Sequence, residues 1–370
     1  MPTVTLRDVA ARAGVSIKTV SNVVHNVGGK VSPETADRVR EAIEELGYRP
    51  NLSARRLRSG HSRVIALALP DLRNPYFADM AAATITAARD RGYTVFIEQT
   101  GGSAEAELDA IEGMSDPMIE GVIIAPLLLN QRQLAGKNLP LPLVLLGQRE
   151  PGFACDQVSV DNMEASRQVT AHLIGRGYRR IAIVGRQDDV PDATAVQRID
   201  GYRRALEEAR IEADASLVPV LQQTPYSRAA GALCMASLLE LPQPPDAVYC
   251  LADVLAFGAL SALHAAGLRV PDDIGLAGFD GLEEARYRVP TLTTVAPDLE
   301  QMAHAAVDAL IERIQSEENI SPRNITCNFD LIIGHSSEPN LGLSPGLNLL
   351  PFLCEKDMKK APSTGTIGLV

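Results

Sequence analysis

The 370 residues exceed what one hydrophobic core usually organises, so two or three domains are expected, and 46% hydrophobic composition suffices to bury them. Charge divides the chain: residues 1–63 hold 11 Lys+Arg against 6 Asp+Glu, net +5, and the remaining 24 against 40, net −16, so an acidic whole hides a basic head. The opening has acids where a signal peptide needs an apolar core, no apolar run reaches the roughly 18 residues of a membrane span, and Cys155, Cys234, Cys250, Cys327 and Cys354 form no CxxC pair; neither export nor insertion is expected, and a cytoplasmic, nucleoid-associated protein is.

The stretch from Thr5 to Asn26 predicts two short helices joined by a tight turn. Thr5 stands as N-cap with Asp8 three residues on, and Val4 and Val9 are placed to close a hydrophobic staple. Leu6, Val9, Ala10 and Ala13 give one apolar face, Gly14 permits the turn, and Ser16 caps a second helix whose inner side is Val20, Val23 and Val24. This is helix-turn-helix spacing. Ile17, Lys18, Ser21 and Asn22 stay off the apolar face, where early residues of a recognition helix meet base edges in the major groove. Lys18 suits guanine O6 or N7 and Asn22 suits adenine N6 and N7, while Ser16, Thr19 and Ser21 suit phosphates; Thr5 and Asn26 complete the candidate DNA contacts of the head. An ordinary helical hairpin is the plain alternative, and the charge step weighs against it.

A third helix is expected from Ser32 as N-cap and Pro33 at the first helical position, through Ala36, Val39, Ile43 and Leu46, to a stop at Gly47. The hinge that follows, 49–61 within RPNLSARRLRSGHSR, has few apolar residues, and a helix over Leu52 to Arg58 is too short to stand alone in water. It should be disordered until something docks it.

From Val64 the pattern becomes short apolar runs alternating with amphipathic helices. Val64–Leu69, Thr94–Glu98, Val122–Ala125 and Leu143–Leu146 read as buried parallel strands, with helices at Phe77–Arg91 and Ala104–Ser115. A second series has strands at Arg180–Val184, Leu217–Leu221, Ala247–Cys250 and Ile274–Ala277, and helices at Glu164–Ile174, Val196–Ala209, Ser227–Leu239 and Val254–Ala266. The body is therefore expected to be two doubly wound α/β halves, with a ligand cleft where the carboxyl ends of both sets of strands meet.

In order along the chain, TLRDVAARAGVSIKTVSNVVHN, GYRPNLSARRLRSG, VSVDN, HLIGRGYRRIAIVG, RIDGYRRAL, VPDDIGLAGFD and PTLTTV resemble the lactose/galactose repressor (LacI/GalR) family of bacterial transcription regulators, over about Thr5 to Ser337. The resemblance implies a helix-turn-helix head at 1–48 and a periplasmic-binding-protein-like body at 62–337. Lobe 1 is then 62–160 with 294–325, and lobe 2 is 161–293 with 326–337; crossovers fall near Val160–Asn162 and Leu292–Pro297. It further implies a homodimer on a near-palindromic double-stranded operator, and a small effector in the cleft, a sugar or derivative, with a purine or nucleoside as the alternative. Leu57 of the hinge would wedge between base pairs in the minor groove beside Arg55, Arg56 and Arg58, with Ala54 letting paired hinge helices approach.

By the same resemblance Asn74, Tyr76, Phe77, Arg198, Asp253 and Asp280 line the cleft; Arg198 offers five fixed donors and the two carboxylates accept hydroxyls, which suits a sugar. The sequence departs from the pattern at Ala252, where an Asn is often expected, and at Gly147, where some relatives carry a carboxylate. No metal or cofactor is expected, because His25, His61, His172, His264, His304 and His335 are dispersed. The marks of hydrolases, NTPases and dinucleotide enzymes are missing, so an enzyme is not expected. The tail, 338–370, departs from the family: Pro345 and Pro351 forbid a continuous helix there, and a disordered or loosely docked extension is expected.

Overall fold

The computed structural model describes residues 4–24, 31–48, 62–113, 118–129, 134, 139, 141–147, 155–188, 193–221, 225–316, 318 and 320–338. Asn26, the 49–61 hinge with Ala54, Arg55, Leu57 and Arg58, and tail residues 339–370 lie outside them. The chain falls into two compact units, 1–62 and 63–370.

The first unit is three helices, α1 (Leu6–Ala13), α2 (Ile17–Val24) and α3 (Pro33–Leu46). Its beginning is a reciprocal cap: Thr5 accepts the Asp8 backbone N–H while the Asp8 carboxylate accepts from the Thr5 N–H and hydroxyl. Gly14 ends α1 at φ 66°, a left-handed angle that a side chain would resist. Val9, Val20 and Val39, one from each helix, are fully buried and close the core with Ala10, Ala42 and Tyr48. Val4 packs against this cluster, as the staple requires.

The second unit holds two sheets. The first runs β10–β5–β4–β3–β1–β2 and is parallel throughout, with β1 (Val64–Leu69), β2 (Thr94–Gln99), β3 (Val122–Ile124), β4 (Leu143–Leu146), β5 (Asp156–Val160) and β10 (Asn324–Cys327). The second runs β11–β9–β8–β7–β6, with β6 (Ile181–Val184), β7 (Ala247–Cys250), β8 (Gly275–Phe279), β9 (Thr293–Pro297) and β11 (Phe329–Ile332); only β11 pairs antiparallel within it. The helices are α4 (Pro75–Asp90), α5 (Ala104–Gly113), α6 (Asn162–Gly175), α7 (Ala193–Glu208), α8 (Arg228–Leu239), α9 (Asp253–Ala265), α10 (Glu283–Tyr287) and α11 (Leu299–Gln315). Central strands such as β1 are covered on both faces. Ile65, Leu67 and Leu69 join one cluster and Ala66 and Ala68 another, which is why β1 reads as an unbroken apolar run.

Three expectations need correction. Thr94–Glu98 is not a buried strand: β2 lies at the sheet edge with Phe96 54% and Ile97 40% exposed, so its apolar residues do not report burial in this unit. Leu217–Leu221 is not a strand but a short 3-10 turn, Ala215–Leu217, followed by a single bridge from Val220 to Arg186; Pro219, lacking an N–H, cannot carry a ladder further. The lobe boundaries also move. β9 belongs to the second sheet through Pro297 and β10 to the first through Cys327, so the crossings lie at Val160–Asn162, Pro297–Leu299 and Cys327–Phe329, beyond the expected breaks at 293/294 and 325/326. Among the described residues no helix is long and apolar enough to cross a membrane.

Candidate functional site

In the head, α2 turns one side inward through Val20 and the other outward. Ser16, Ile17 and Lys18 are exposed, and Thr19, Ser21 and Asn22 are half-buried. Ser16 Oγ accepts the Thr19 N–H at 3.1 Å and lies 2.9 Å from Thr19 Oγ1, so these two hydroxyls hold the start of the helix. Thr5 is likewise engaged in its own cap. Lys18 and Ile17 are therefore exposed side chains free of that cap, and Ser16, Thr19 and Thr5 stand at helix starts, where backbone N–H groups favour an anion.

In the body, the carboxyl ends of both sheets surround a cavity of about 130 Å³. The first lobe supplies mainly carbon: Tyr76, Phe77 and Met80 from α4, Ala125 to Leu127 after β3, and Leu146 at the end of β4. Asn74 caps α4, its Oδ1 accepting the Tyr76 N–H at 3.2 Å, and this aims the first turn of the helix at the cavity. Tyr76 and Phe77 meet edge to face, centroids 5.3 Å apart. A buried carboxylate fixes the next piece of wall: Glu107 of α5, 0% exposed, accepts the N–H groups of Leu127, Leu128 and Leu129 at 2.6, 3.0 and 2.7 Å.

The second lobe supplies the polar groups. Arg198 of α7 lies with its guanidinium 3.4 Å from the Phe279 ring centroid, donates Nε to Asn162 Oδ1 at 2.9 Å and Nη1 to the Leu251 carbonyl at 2.6 Å. Asn162 is oriented in turn by its Nδ2 bond to the Val160 carbonyl, 3.1 Å. All three contacts of Arg198 are to neutral groups. Asp280, immediately after β8, is 8% exposed and sits at φ 126°, unusual for a residue with a side chain. Burial pushes its carboxyl up to about 7, against the pull of Arg198 and of the Asp253 N–H that it accepts. Burial first, and Asp280 second, hold the Tyr76 phenol far above its usual range.

Asn74, Tyr76, Phe77, Arg198 and Asp280 thus share one cavity, whereas Asp253 is absent from its lining. That expectation is corrected: Asp253 opens α9 facing inward, 0% exposed, with its carboxylate bonded to the Leu282 N–H and the Thr294 hydroxyl at 2.9 and 2.7 Å. Gly147, where the sequence departs from the family pattern, lines the cavity and brings no side chain to it. Asn162, Thr194 and Tyr226 also line it and were not among the sequence-based candidates. Asn162 had a signal, since it ends the VSVDN motif; Tyr226 had none, lying alone after a Pro, and its hydroxyl donates to the Gly185 carbonyl at 2.5 Å. Among the described residues no group of three or more His, Cys, Asp or Glu comes together to hold a metal ion.

Comparison with known proteins agrees with both halves of this geometry. Residues 5–51 match the model described as bacterial regulatory proteins, lacI family, and residues 170–337 match a periplasmic binding protein-like domain. The HTH-type transcriptional repressor PurR of Vibrio atlanticus (strain LGP32) is 30% identical over 317 residues, covering 85% of this chain and 93% of that protein. The HTH-type transcriptional repressor CytR of Escherichia coli (strain K12) is 31% identical over 315 residues, 85% of this chain and 90% of that one. Among solved structures, the lac repressor dimer bound to operator and the anti-inducer ONPF superposes with a TM-score of 0.76 at 26% identity, over 91% of this chain and 99% of that one. The transcriptional regulator CelR–cellobiose complex gives 0.67 at 30% identity, over 90% and 99%.

Proposed function

The chain belongs to the lacI family of bacterial regulatory proteins and is a DNA-binding transcriptional repressor, and from that premise we propose that it grips a near-palindromic operator as a homodimer, in the cytoplasm, and that a sugar or sugar derivative in the cleft sets its affinity. The observation that carries the effector reading is the division of the cavity: Arg198 and Asp280 offer a donor and an acceptor on one side, and Tyr76, Phe77 and Leu127 offer an apolar face on the other. A pyranose has such a pair of sides, hydroxyls at its edge and C–H groups on its face. A purine or nucleoside is the second reading, favoured by the aromatic pair Tyr76–Phe77, which suits stacking. Either ligand acts by its different affinity for two arrangements of the lobes, which the crossings at Val160–Asn162, Pro297–Leu299 and Cys327–Phe329 allow to turn. The role proposed for the cavity is binding, with Arg198 and the enclosed Asp280 holding the ligand.

The test is a mobility-shift titration on the DNA upstream of its own gene, alone and with millimolar cellobiose, cytidine or hypoxanthine. Retardation released or strengthened by cellobiose supports the sugar reading, and a response to cytidine or hypoxanthine alone replaces it with the second. Lys18→Ala should change operator preference at one base position, at about 1–3 kcal/mol. Equal weakening on every sequence would instead make Lys18 a phosphate anchor.

A further inference from the structure

Behind the cavity floor lies a second carboxylate that the cleft does not reach. Asp253 accepts the Leu282 N–H through Oδ2 at 2.9 Å and meets Thr294 Oγ1 through Oδ1 at 2.7 Å. Thr294 Oγ1 also accepts the Gly281 N–H at 3.3 Å, so two successive amides of the turn after β8 are held, directly or through one hydroxyl, by Asp253. The fold leaves room for this carboxylate: a Cβ at position 278 would stand 2.1 Å from Asp253 Oδ1, and the residue there is Gly278. In return the Asp280 carboxylate accepts the backbone N–H of Asp253 at the start of α9, where Ala252 supplies no capping side chain. The turn between them is bent to φ 126° at Asp280 and 68° at Gly281. A non-glycine residue keeps such an angle only where its surroundings over-determine it.

We infer that Asp253 is a positioning residue for effector recognition: from behind the floor it locks the 280–282 turn in the backbone conformation that presents Asp280 to the cleft. This rests on the reading of the cleft as the effector site. The charges explain how one acid can serve the other. Two carboxylates enclosed together do not both ionise. Burial first, and the Asp280 charge second, push the Asp253 carboxyl well above the usual carboxylate range, which favours its protonated form. Its contact with Thr294 serves that state too, because the hydroxyl can accept from the acid and donate to the Val295 carbonyl, 3.3 Å away. Asp280 is left to ionise, facing Arg198 from α7, Tyr76 from α4, Tyr249 from β7 and Asp253 from α9; of these only Arg198 is a cation. Asp253, enclosed and engaged with Leu282 and Thr294, thus leaves Asp280 as the acceptor for ligand hydroxyl or N–H groups.

The experiment is a carboxyl-carbon NMR titration of the full chain labelled at aspartate, with Asp280 assigned from the signal lost in Asp280→Asn. In the unsubstituted protein Asp280 should titrate near 7. Asp253→Asn, which mimics the protonated acid, should keep that midpoint. Asp253→Ala, which frees the turn, should let it fall toward the ordinary carboxylate range of about 4. A midpoint unchanged in Asp253→Ala overturns the inference, because the turn then does not depend on Asp253. A fall as large in Asp253→Asn overturns it as well, because a charge on Asp253 would then have raised Asp280. Should Asp253→Ala fail to fold, Thr294→Val is read the same way with a smaller expected fall. Calorimetry with cellobiose, cytidine and hypoxanthine separates the two readings: whichever compound binds should bind about tenfold more weakly to Asp253→Ala and normally to Asp253→Asn. If none of the three binds while the NMR result stands, the proposed effector classes fail, and Asp253 is still shown to hold the turn that carries Asp280.

Discussion

Asp156 and Asp280 are both enclosed aspartates with an arginine nearby, one where a strand begins and the other where a strand ends, and their surroundings differ completely. Asp156, at the start of β5, is gripped by Arg313 through Nε and Nη2 at 2.8 and 2.7 Å and by Arg323 through its backbone N–H and Nη2, both at 2.8 Å. Burial alone would raise its pKa, and these bonds outweigh burial and hold it at about 2. Among the described residues Asp280 accepts a single backbone N–H, from Asp253, while the arginine near it is committed to neutral acceptors, and it stands at about 7. An enclosed carboxylate with a full set of donors is framework. One kept enclosed and short of donors is prepared for a ligand that brings them.

The largest expected effect tests the closed end of this contrast. Asp156→Ala leaves two cations around an empty site and should destabilise the body by about 3–5 kcal/mol, measured by urea unfolding. Because the folded pKa of Asp156 is lowered, its contribution is present above the ordinary carboxylate value and is lost as pH falls from about 4 toward 2. A cost under 1 kcal/mol would show that solvent satisfies the arginines, and the distinction from Asp280 would dissolve.

The open end has the opposite sign. The folded pKa of Asp280 is raised, so the folded state binds the extra proton between about 4 and 7, and stability should fall as pH rises through that window, with Asp280 contributing at most about 1.4 kcal/mol per pH unit. Asp280→Asn should reduce that slope to the share of Asp253, whose folded pKa is raised too, leave operator binding unchanged and abolish the effector response. A slope undiminished in the variant would assign the titration to another group. The smallest effect sharpens the picture of the closed site: Arg323 is 36% exposed and Arg313 12%, so Arg323→Gln should cost only about 1 kcal/mol, with Asp156 still held by Arg313.

How much of this was legible in the sequence depended on whether the signal was local. The head was readable because each boundary is set within four residues: Thr5 with Asp8, Gly14, Ser16, Ser32 with Pro33, and Gly47. Strands covered on both faces, β1 and β4, announced themselves as apolar runs. β5 did not, since Asp156, Gln157 and Ser159 interrupt it, and the arginines that make Asp156 tolerable come from residues 313 and 323. β10 and β11 are short and partly exposed, and their pairing is settled by distant partners. α11 was readable in principle, with Asp298 as its cap and Met302, Ala306 and Leu310 on its buried side. In the cleft, motif resemblance placed five of six expected residues on the cavity. Asp253 was misplaced because its inward orientation depends on the space at Gly278 and the amide of Leu282, neither visible from its own neighbours.

The interleaving of the two lobes sets a timetable for synthesis. β10 and α11 complete the first lobe, yet both follow nearly all of the second along the chain; α11 packs on α4 and across β3, β4 and β5. A growing chain therefore finishes β5 and must wait until Leu299 to Gln315 has been made before that sheet is covered, a delay on the order of 10 s at ordinary rates of translation. During that interval its apolar surface needs protection from neighbouring nascent chains. The head draws its core from residues 4–48 alone, so the part that reads DNA can be complete on the ribosome well before the part that answers to an effector.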